Sequence, residues 1–308
     1  MSTLAWTPDF DALPLCGSVA HWAGQFRHER DWPSTAQLNA LAAAQGLCNG
    51  ADRPVCFVEQ TAACGQRDYE QQIWDSGQVP TRTASAHDFF NALIWLTFPQ
   101  TKAALNAVQC RELANAPKSQ RSPASNAATL FDESGLVLVA RDAELAELLR
   151  AKQWKTAFWE RRARWHDARF YVIGHALLEK AAWSSVSIGE AGNKPDPNCL
   201  SAKANIEATD VKPAPAGGRR QKVVGPYPGM TGKCLFLQMD KLPVAGLPPA
   251  ALDAAIAHAW LGGTVQKPAD LFVMPVLGVP GFEAANAHAA YYDNTEVFRP
   301  PRSTLGTE

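Results

Sequence analysis

The order of apolar and polar positions predicts short strands mixed with helices. Ser34 or Thr35 can cap a helix that runs to about Leu47, and Asn49-Gly50 supplies its stop signal. Apolar periodicity predicts further helices at 85–97, 99–113, 143–165, 175–182 and 249–261. Short strands are predicted at 55–59, 69–74, 170–173, 234–239 and 270–277. Because these elements do not alternate as βαβ units, an α+β fold around one core is favoured over a doubly wound sheet.

A β-hairpin is also predicted at 128–140, ATLFDESGLVLVA. Two apolar runs flank the turn-forming residues Asp132, Glu133, Ser134 and Gly135. This interpretation places Asp132 and Glu133 at the tip of the hairpin.

The most informative stretch is 85–106, SAHDFFNALIWLTFPQTKAALN. Ser85 is the expected N-cap, with Asp88 three residues later as in a capping box. Pro99 ends the first helix and suits the first turn of a second one. Residues four apart share a helix face, so His87 and Asn91 are expected on one face.

The second helix repeats this spacing with Lys102 and Asn106. Helices that only fill a core do not need such polar side chains, so the pair of helices marks a candidate site. The dipole of the helix that begins at Pro99 is expected to lie near this site.

Domain organisation is predicted from shifts in composition. We expect an N-terminal arm at 1–34, a single large α+β domain at 35–302 and a short tail at 303–308. The Gly- and Pro-rich stretch at about 209–232 has little apolar periodicity and is predicted to be a mobile insertion.

Charge and composition narrow the function classes. The chain has 29 Lys and Arg against 30 Asp and Glu, a net charge of −1, which argues against a basic nucleic-acid-binding protein. No apolar run is long enough to span a membrane, and the N-terminus has no secretory signal pattern. The 7 cysteines contain no CxxC pair, which is typical of a reducing compartment, and a cytoplasmic location is expected.

Several blocks resemble one protein family. HDFFNALIWLTFPQTKAALN, TLFDESG, GHALLEK, PVLGVPGF and YYDNTEVFRP follow one another over most of the chain. Together they resemble a bacterial family described only as a domain of unknown function, number 3025. The resemblance implies no established activity. The chain departs from the family pattern at Ala86, where an aromatic residue is common, and at Val108 and Gln109, where a basic residue and a His tend to occur.

The candidate chemistry combines histidines with carboxylates. His87, Asp88, Asp132 and His175 form a mixed set that can ligate a divalent metal, although a metal-free acid–base site built on the two histidines is an equal alternative. Glu179 is four residues after His175 and is expected to orient its ring.

Four further residues are candidates for binding substrate. Arg82, Asn91, Lys102 and Asn106 offer positive charge and amide groups to an anionic or carbonyl-bearing ligand. Two of them also have a structural alternative, since Arg82 can pair with Asp88 and Asn91 can bond backbone groups at the Pro99 corner.

The sequence favours hydrolysis of a small polar or anionic substrate, with His87, His175 and Asp132 as catalytic residues. GxSxG, Walker, GxGxxG and HExxH signatures are absent from the sequence. The alternative is a non-catalytic ligand-binding or protein-interaction module, in which the same residues form a structural polar network. The sequence does not indicate the partner, the metal or the oligomeric state.

Overall fold

Six strands form two sheets in the computed structural model, which describes residues 6–60, 65–115, 121–190, 230–243, 248 and 250–301. The strands are β1 (Cys56–Glu59), β2 (Gln78–Thr81), β3 (Gly135–Ala140), β4 (Ala168–Val172), β5 (Thr231–Gln238) and β6 (Phe272–Pro275). β1 and β2 are parallel and form the smaller sheet. The larger sheet has the order β4-β3-β5-β6, in which β3 runs parallel to β5 and the outer pairs are antiparallel.

Nine α-helices account for about half of the remaining described residues. They are α1 (Ala20–Ala23), α2 (Thr35–Gln45), α3 (Gln66–Ser76), α4 (Ala86–Thr97), α5 (Pro99–Asn115), α6 (Pro123–Ser134), α7 (Glu144–Arg150), α8 (His175–Glu190) and α9 (Ala250–Leu261). Helices and two small sheets thus share one core, and the predicted α+β class is confirmed.

Two predicted helix starts are confirmed by their caps. The Ser34 hydroxyl accepts a hydrogen bond from the Gln37 amide, and Gln37 completes a capping box at the start of α2. The Ser85 hydroxyl accepts from the Asp88 amide at 3.2 Å at the start of α4. The Asp88 carboxylate does not return the bond, because Arg82 binds it instead.

The predicted strand at 69–74 is wrong, because these residues lie within α3. Its sequence, QRDYEQQIWDS, is rich in helix-forming residues and places Tyr69 and Ile73 four apart. Gly77 is the left-handed C-cap of this helix, with φ of 75°.

The predicted hairpin at 128–140 is also wrong. Ser122 caps α6 and Pro123 occupies its first turn, so the helix includes the first apolar run of the predicted hairpin. α6 passes without a loop into β3, whose six residues are all buried. Asp132 and Glu133 therefore lie in the last turn of a helix and not at a hairpin tip.

Gly174 brings the start of α8 against the end of α6. Its amide donates to the Gly135 carbonyl at 2.9 Å. A Cβ atom at Gly174 would lie 2.4 Å from the Ser134 Cα and 2.6 Å from the Glu133 carbonyl oxygen, so only glycine permits this approach. The next residue, His175, is thereby placed beside Asp132 and Glu133.

The N-terminus of α5 is capped by a carboxylate from α9. Asp253 accepts hydrogen bonds from the Gln100 amide at 2.8 Å and from the Thr101 amide at 2.9 Å. The positive end of this helix was expected to face a ligand near the site, but a buried side chain of the protein occupies it.

Aromatic residues join the N-terminal arm to α4. Trp6, Phe10 and Trp32 pack around Phe89, with ring centroids 5.5–6.2 Å from its centroid. The arm contains three 3₁₀ segments, Pro8–Ala12, Pro14–Ser18 and Gly24–Phe26, and the helix α1.

Two further predictions from the sequence concern the insertion at 209–232 and membrane-spanning segments. The predicted insertion at 209–232 lies largely outside the described residues, and its last two positions belong to β5. Among the helices that the structure describes, none combines the length and apolarity needed to cross a membrane.

Candidate functional site

Two histidines from different helices face each other at an open cleft. His87 is the second residue of α4 and His175 is the first residue of α8, and their Nε2 atoms are 3.0 Å apart. The ring planes meet at 76°. His175 is buried, whereas the side chain of His87 is 30% exposed. The two rings therefore extend from the protein interior, at His175, to the surface of the cleft, at His87.

A carboxylate faces the other nitrogen of each ring. The Nδ1 atom of His87 is 3.2 Å from the Glu179 Oε2, and the Nδ1 atom of His175 is 3.9 Å from the Asp132 Oδ2. Glu179 was expected to orient His175 from one turn along α8, but it contacts His87. Glu133 lies on the Nε2 side of His175, with its Oε2 atom 3.7 Å away.

The two histidines differ in electrostatics. The hydrogen bond to Glu179 raises the pKa of His87, and the same bond lowers the pKa of Glu179. Burial lowers the pKa of His175 to about 4. His175 is therefore neutral at neutral pH, which is the form of imidazole that ligates metals or accepts a proton.

Lys102 holds the carboxylate that faces His175. Its Nζ atom donates to the Asp132 Oδ1 at 2.5 Å and to the Asn91 Oδ1 at 2.8 Å. The Asn91 Nδ2 in turn donates to the Tyr69 hydroxyl at 2.9 Å. Burial opposes ionisation of Asp132, but the charge and hydrogen bond of Lys102, together with the two histidines, outweigh burial and lower the pKa of Asp132.

Asn106 pairs with a second buried acid. Its Nδ2 atom donates to the Glu70 Oε2 at 2.8 Å and to the Glu70 carbonyl at 3.0 Å. Burial raises the pKa of Glu70 to about 7. Asn106 and Lys102, both predicted to bind substrate, line a small cavity of about 10 Å³ beside the cleft.

Arg82 and Asp88 form a bidentate pair near the cleft. The Arg82 Nε and Nη2 atoms donate to the two Asp88 carboxylate oxygens at 2.9 Å and 2.7 Å, and the Arg82 amide donates at 2.6 Å. These three bonds occupy the Asp88 carboxylate, which was a predicted metal ligand. The Arg82 side chain is 56% exposed and lines the cleft.

The cleft has a volume of about 300 Å³, which suits a small molecule. The histidine pair, Asp132 and Glu133 share its lining with Arg82, Asn91, Tyr69 and Glu70. The structure thus brings His87, His175, Asp132, Arg82 and Asn91 to one opening, and it places Lys102 and Asn106 behind it.

One convergent group of metal-ligand atoms emerges from the described residues. His87, His175 and Glu133 each offer an atom, and these three atoms lie within 4.8 Å of one another. The predicted set contained both histidines, but it also contained Asp88 and Asp132, which Arg82 and Lys102 hold. Glu133 takes their place in the group.

The comparisons with known proteins identify a family. The family described as "Protein of unknown function (DUF3025)" matches residues 55–194 and 201–302, which is most of the chain. The chain belongs to this family. No curated protein and no solved structure matches it. The matched region of this DUF3025 protein begins just before β1 and contains every residue of the cleft described above, whereas the whole N-terminal arm precedes it.

Two cleft residues of the DUF3025 protein escaped sequence reasoning. Tyr69 and Glu70 were placed in a strand, where neighbouring side chains point to opposite faces. The available signal was the run of helix-forming residues ending at Gly77, which predicts α3 with Glu70 and Ile73 on its buried side.

Proposed function

We propose that this protein is a metal-dependent hydrolase of small polar or anionic molecules, with His87, His175 and Glu133 as ligands of a divalent transition metal. One observation carries the proposal: both Nε2 atoms meet at the cleft, while the Glu179 carboxylate is hydrogen-bonded to the His87 Nδ1 and the Asp132 carboxylate lies 3.9 Å from the His175 Nδ1. Metal-ligating histidines usually have such a carboxylate behind the ring, because it fixes the tautomer that presents the other nitrogen to the metal.

The separations of the ligand atoms support a tetrahedral site. Metal bonds of about 2.0–2.1 Å separate tetrahedral ligand atoms by about 3.3 Å. Two of the three separations are near this value, 3.0 Å between the two Nε2 atoms and 3.7 Å between the His175 Nε2 and the Glu133 Oε2, and the His87 and Glu133 atoms lie within 4.8 Å of each other. Three protein ligands beside an open cleft are typical of a catalytic site, in which a fourth position remains for water or substrate.

The roles of the surrounding residues follow from their contacts. A divalent cation, when bound, would lower the pKa of a water molecule bound to it and would polarise a substrate oxygen. Glu179 would orient the His87 ring through its hydrogen bond, and Lys102 would hold the Asp132 carboxylate ionised beside the His175 ring. The Arg82 guanidinium, paired with Asp88 on one edge, would present its remaining donors to a polar substrate group.

A metal-free acid–base site is the second candidate. The hydrogen bond to Glu179 raises the pKa of His87, while burial lowers the pKa of His175 to about 4. In this alternative, the His87 Nε2–H donates to the His175 Nε2, and His87 exchanges its proton with a substrate in the cleft. The same two histidines carry both candidates, so metal content separates them.

The test combines metal content with activity. Purified wild type without an affinity tag would be compared with His175→Ala and with His166→Ala, an exposed histidine outside the cleft. We expect about one metal ion per chain in wild type and in His166→Ala, and loss in His175→Ala, by elemental mass spectrometry. Chromogenic carboxylic and phosphoric esters would then be screened with the metal-loaded protein.

The other outcomes identify the alternatives. The acid–base site would be established by two results together. The wild type would hydrolyse a substrate but take up no metal even after incubation with Zn²⁺, and both His87→Ala and His175→Ala would lose this hydrolysis. Wild type without metal and without activity, combined with variants that mainly unfold, would overturn both and leave a non-catalytic module with a structural polar network.

We propose a cytoplasmic location for this activity. The described cysteines at 48, 56, 110 and 234 are free thiols, which is typical of a reducing compartment. Fractionation of cells that express the untagged protein tests this expectation.

A further inference from the structure

A second pocket adjoins the cleft on the side away from the histidines. It has a volume of about 150 Å³ and shares Gln66, Glu70 and Gln109 with the lining of the cleft. Its other polar residues are Arg67, from the first turn of α3, Arg121, which precedes the Ser122 cap of α6, and Ser125 of α6. A molecule in the cleft can therefore extend into this pocket.

Both arginines in this pocket bind only neutral oxygens among the described residues. The Arg67 Nη2 donates to the Leu113 carbonyl at 2.6 Å, and the Arg121 Nη2 donates to the Thr129 hydroxyl at 2.6 Å. Within the described chain, neither guanidinium has a carboxylate at ion-pair distance, unlike Arg82 with Asp88. A guanidinium has five N–H donors, so each retains donors for a ligand.

The pocket contains one acid, and it does not cancel this charge. Glu70 is bonded to Asn106, and burial raises its pKa to about 7, so it carries a partial charge at neutral pH. The amides of Gln66 and Gln109 line the passage between pocket and cleft, where both donate to the Thr129 hydroxyl. The pocket is therefore positive and rich in hydrogen-bond donors.

We propose that Arg67 and Arg121 bind an anionic group of the substrate, a carboxylate or a phosphate, while the bond to be hydrolysed lies in the cleft at His87 and His175. This inference rests on the proposed function and names its substrate class: small molecules with an anionic group remote from the reacting bond. Planar guanidinium groups suit both anions, because they donate two parallel hydrogen bonds. The role replaces the one predicted for Lys102, which Asp132 neutralises inside the protein.

The experiment measures anion binding to the metal-free protein. Inorganic phosphate and acetate would be titrated by calorimetry, at low ionic strength and after chelation, into wild type, Arg67→Gln, Arg121→Gln and the double variant. The control is Arg111→Gln, an exposed arginine of α5 that pairs with Glu112. Because Arg121 is exposed, Arg121→Gln is expected to leave the fold intact. This variant alone tests the proposal if Arg67→Gln is unstable.

We expect each single substitution to weaken binding of the preferred anion about tenfold, since a charge-assisted hydrogen bond contributes about that factor. The control should change it less than about twofold. Tighter binding of phosphate would assign a phosphorylated substrate, and tighter binding of acetate would assign a carboxylate. Equal binding to wild type and to the double variant would overturn the proposal.

A titration of His175→Ala separates this inference from the proposed function. If the arginines form the site, phosphate or acetate binds this variant as it binds wild type, whether or not the histidines hold a metal. If binding disappears in His175→Ala but persists in the double arginine variant, the anion binds at the histidines and the inference is wrong.

Discussion

The Nζ atom of Lys102 lies 2.5 Å from the Asp132 Oδ1 in an ion pair whose side chains are 6% and 19% exposed. This pair fixes the carboxylate that faces His175, and it connects the polar residues of α5 to the end of α6. Because both side chains are largely buried, removing either charge leaves the other uncompensated, so each partner depends on the other for stability.

Lys102→Met is expected to destabilise the protein by about 3–5 kcal/mol, because it leaves a buried carboxylate without its cation. The double variant Lys102→Met, Asp132→Asn should recover part of this loss. Lys155→Met is the matched control, since its pair with Asp293 is 43% and 61% exposed and contributes at most about 1 kcal/mol. Urea unfolding measures all three, and a Lys102→Met variant as stable as the control would contradict the prediction.

Glu179 is expected to control metal affinity without touching the metal. Glu179→Gln replaces the acceptor that orients His87 and should weaken metal binding about 10–100-fold. Glu147→Gln, on the exposed face of α7, is the control and should bind as wild type does. Competition with a fluorescent chelator measures the affinities. Unchanged affinity in Glu179→Gln would show that the His87 ring is held by packing alone.

Gly174→Ala should distort the site, because the new Cβ atom would lie only 2.4–2.6 Å from three backbone atoms. We expect destabilisation of about 2–3 kcal/mol and weaker metal binding, since α8 and His175 must move away from α6. Gly17→Ala, where nothing lies within 4 Å of the new Cβ atom, is the control. Thermal unfolding and metal titration together check this, and a wild-type profile in Gly174→Ala would refute the close approach.

Glu70 should make stability depend on pH. Burial raises its pKa from 4.5 to about 7, so above pH 4.5 the unfolded chain loses this proton while the folded protein keeps it. Stability therefore falls as the pH rises from about 4.5 to about 7, by about 3 kcal/mol.

Glu70→Gln removes this titration and keeps an acceptor for Asn106. The difference in unfolding free energy between the variant and wild type should increase by about 3 kcal/mol in favour of the variant as the pH rises from 5 to 8. Denaturant unfolding at both values measures the difference, in which other titrating groups common to both proteins cancel. A difference that does not change with pH would show that Glu70 is ionised in the folded state.

Asp253 should stabilise the start of α5, which carries Lys102. Asp253→Ala removes the acceptor of two backbone amides and of the Thr101 hydroxyl, at a cost of about 2–3 kcal/mol. Asp253→Asn keeps one acceptor and should lose less. Thermal unfolding of both variants tests this, and equal losses would indicate that only packing matters at Asp253.

Local signals in the sequence determined where several elements begin and which residues carry the chemistry. Ser34 and Ser85 are strong caps, and Pro99 separates two helices whatever surrounds them, because these effects act within one turn. His87 and His175 were identified as candidates because a polar side chain in a largely apolar helix indicates a binding, catalytic or structural role.

The tertiary structure decided which of these residues meet. Glu133 joins the histidines because α6 continues to Ser134 and Gly174 lets α8 approach its end, and the run DESG was equally compatible with a turn. Asp88 and Lys102 gained partners, Arg82 and Asp132, that fix them away from a metal or a substrate. Such pairings depend on distances between segments far apart in the chain, which a local pattern does not contain.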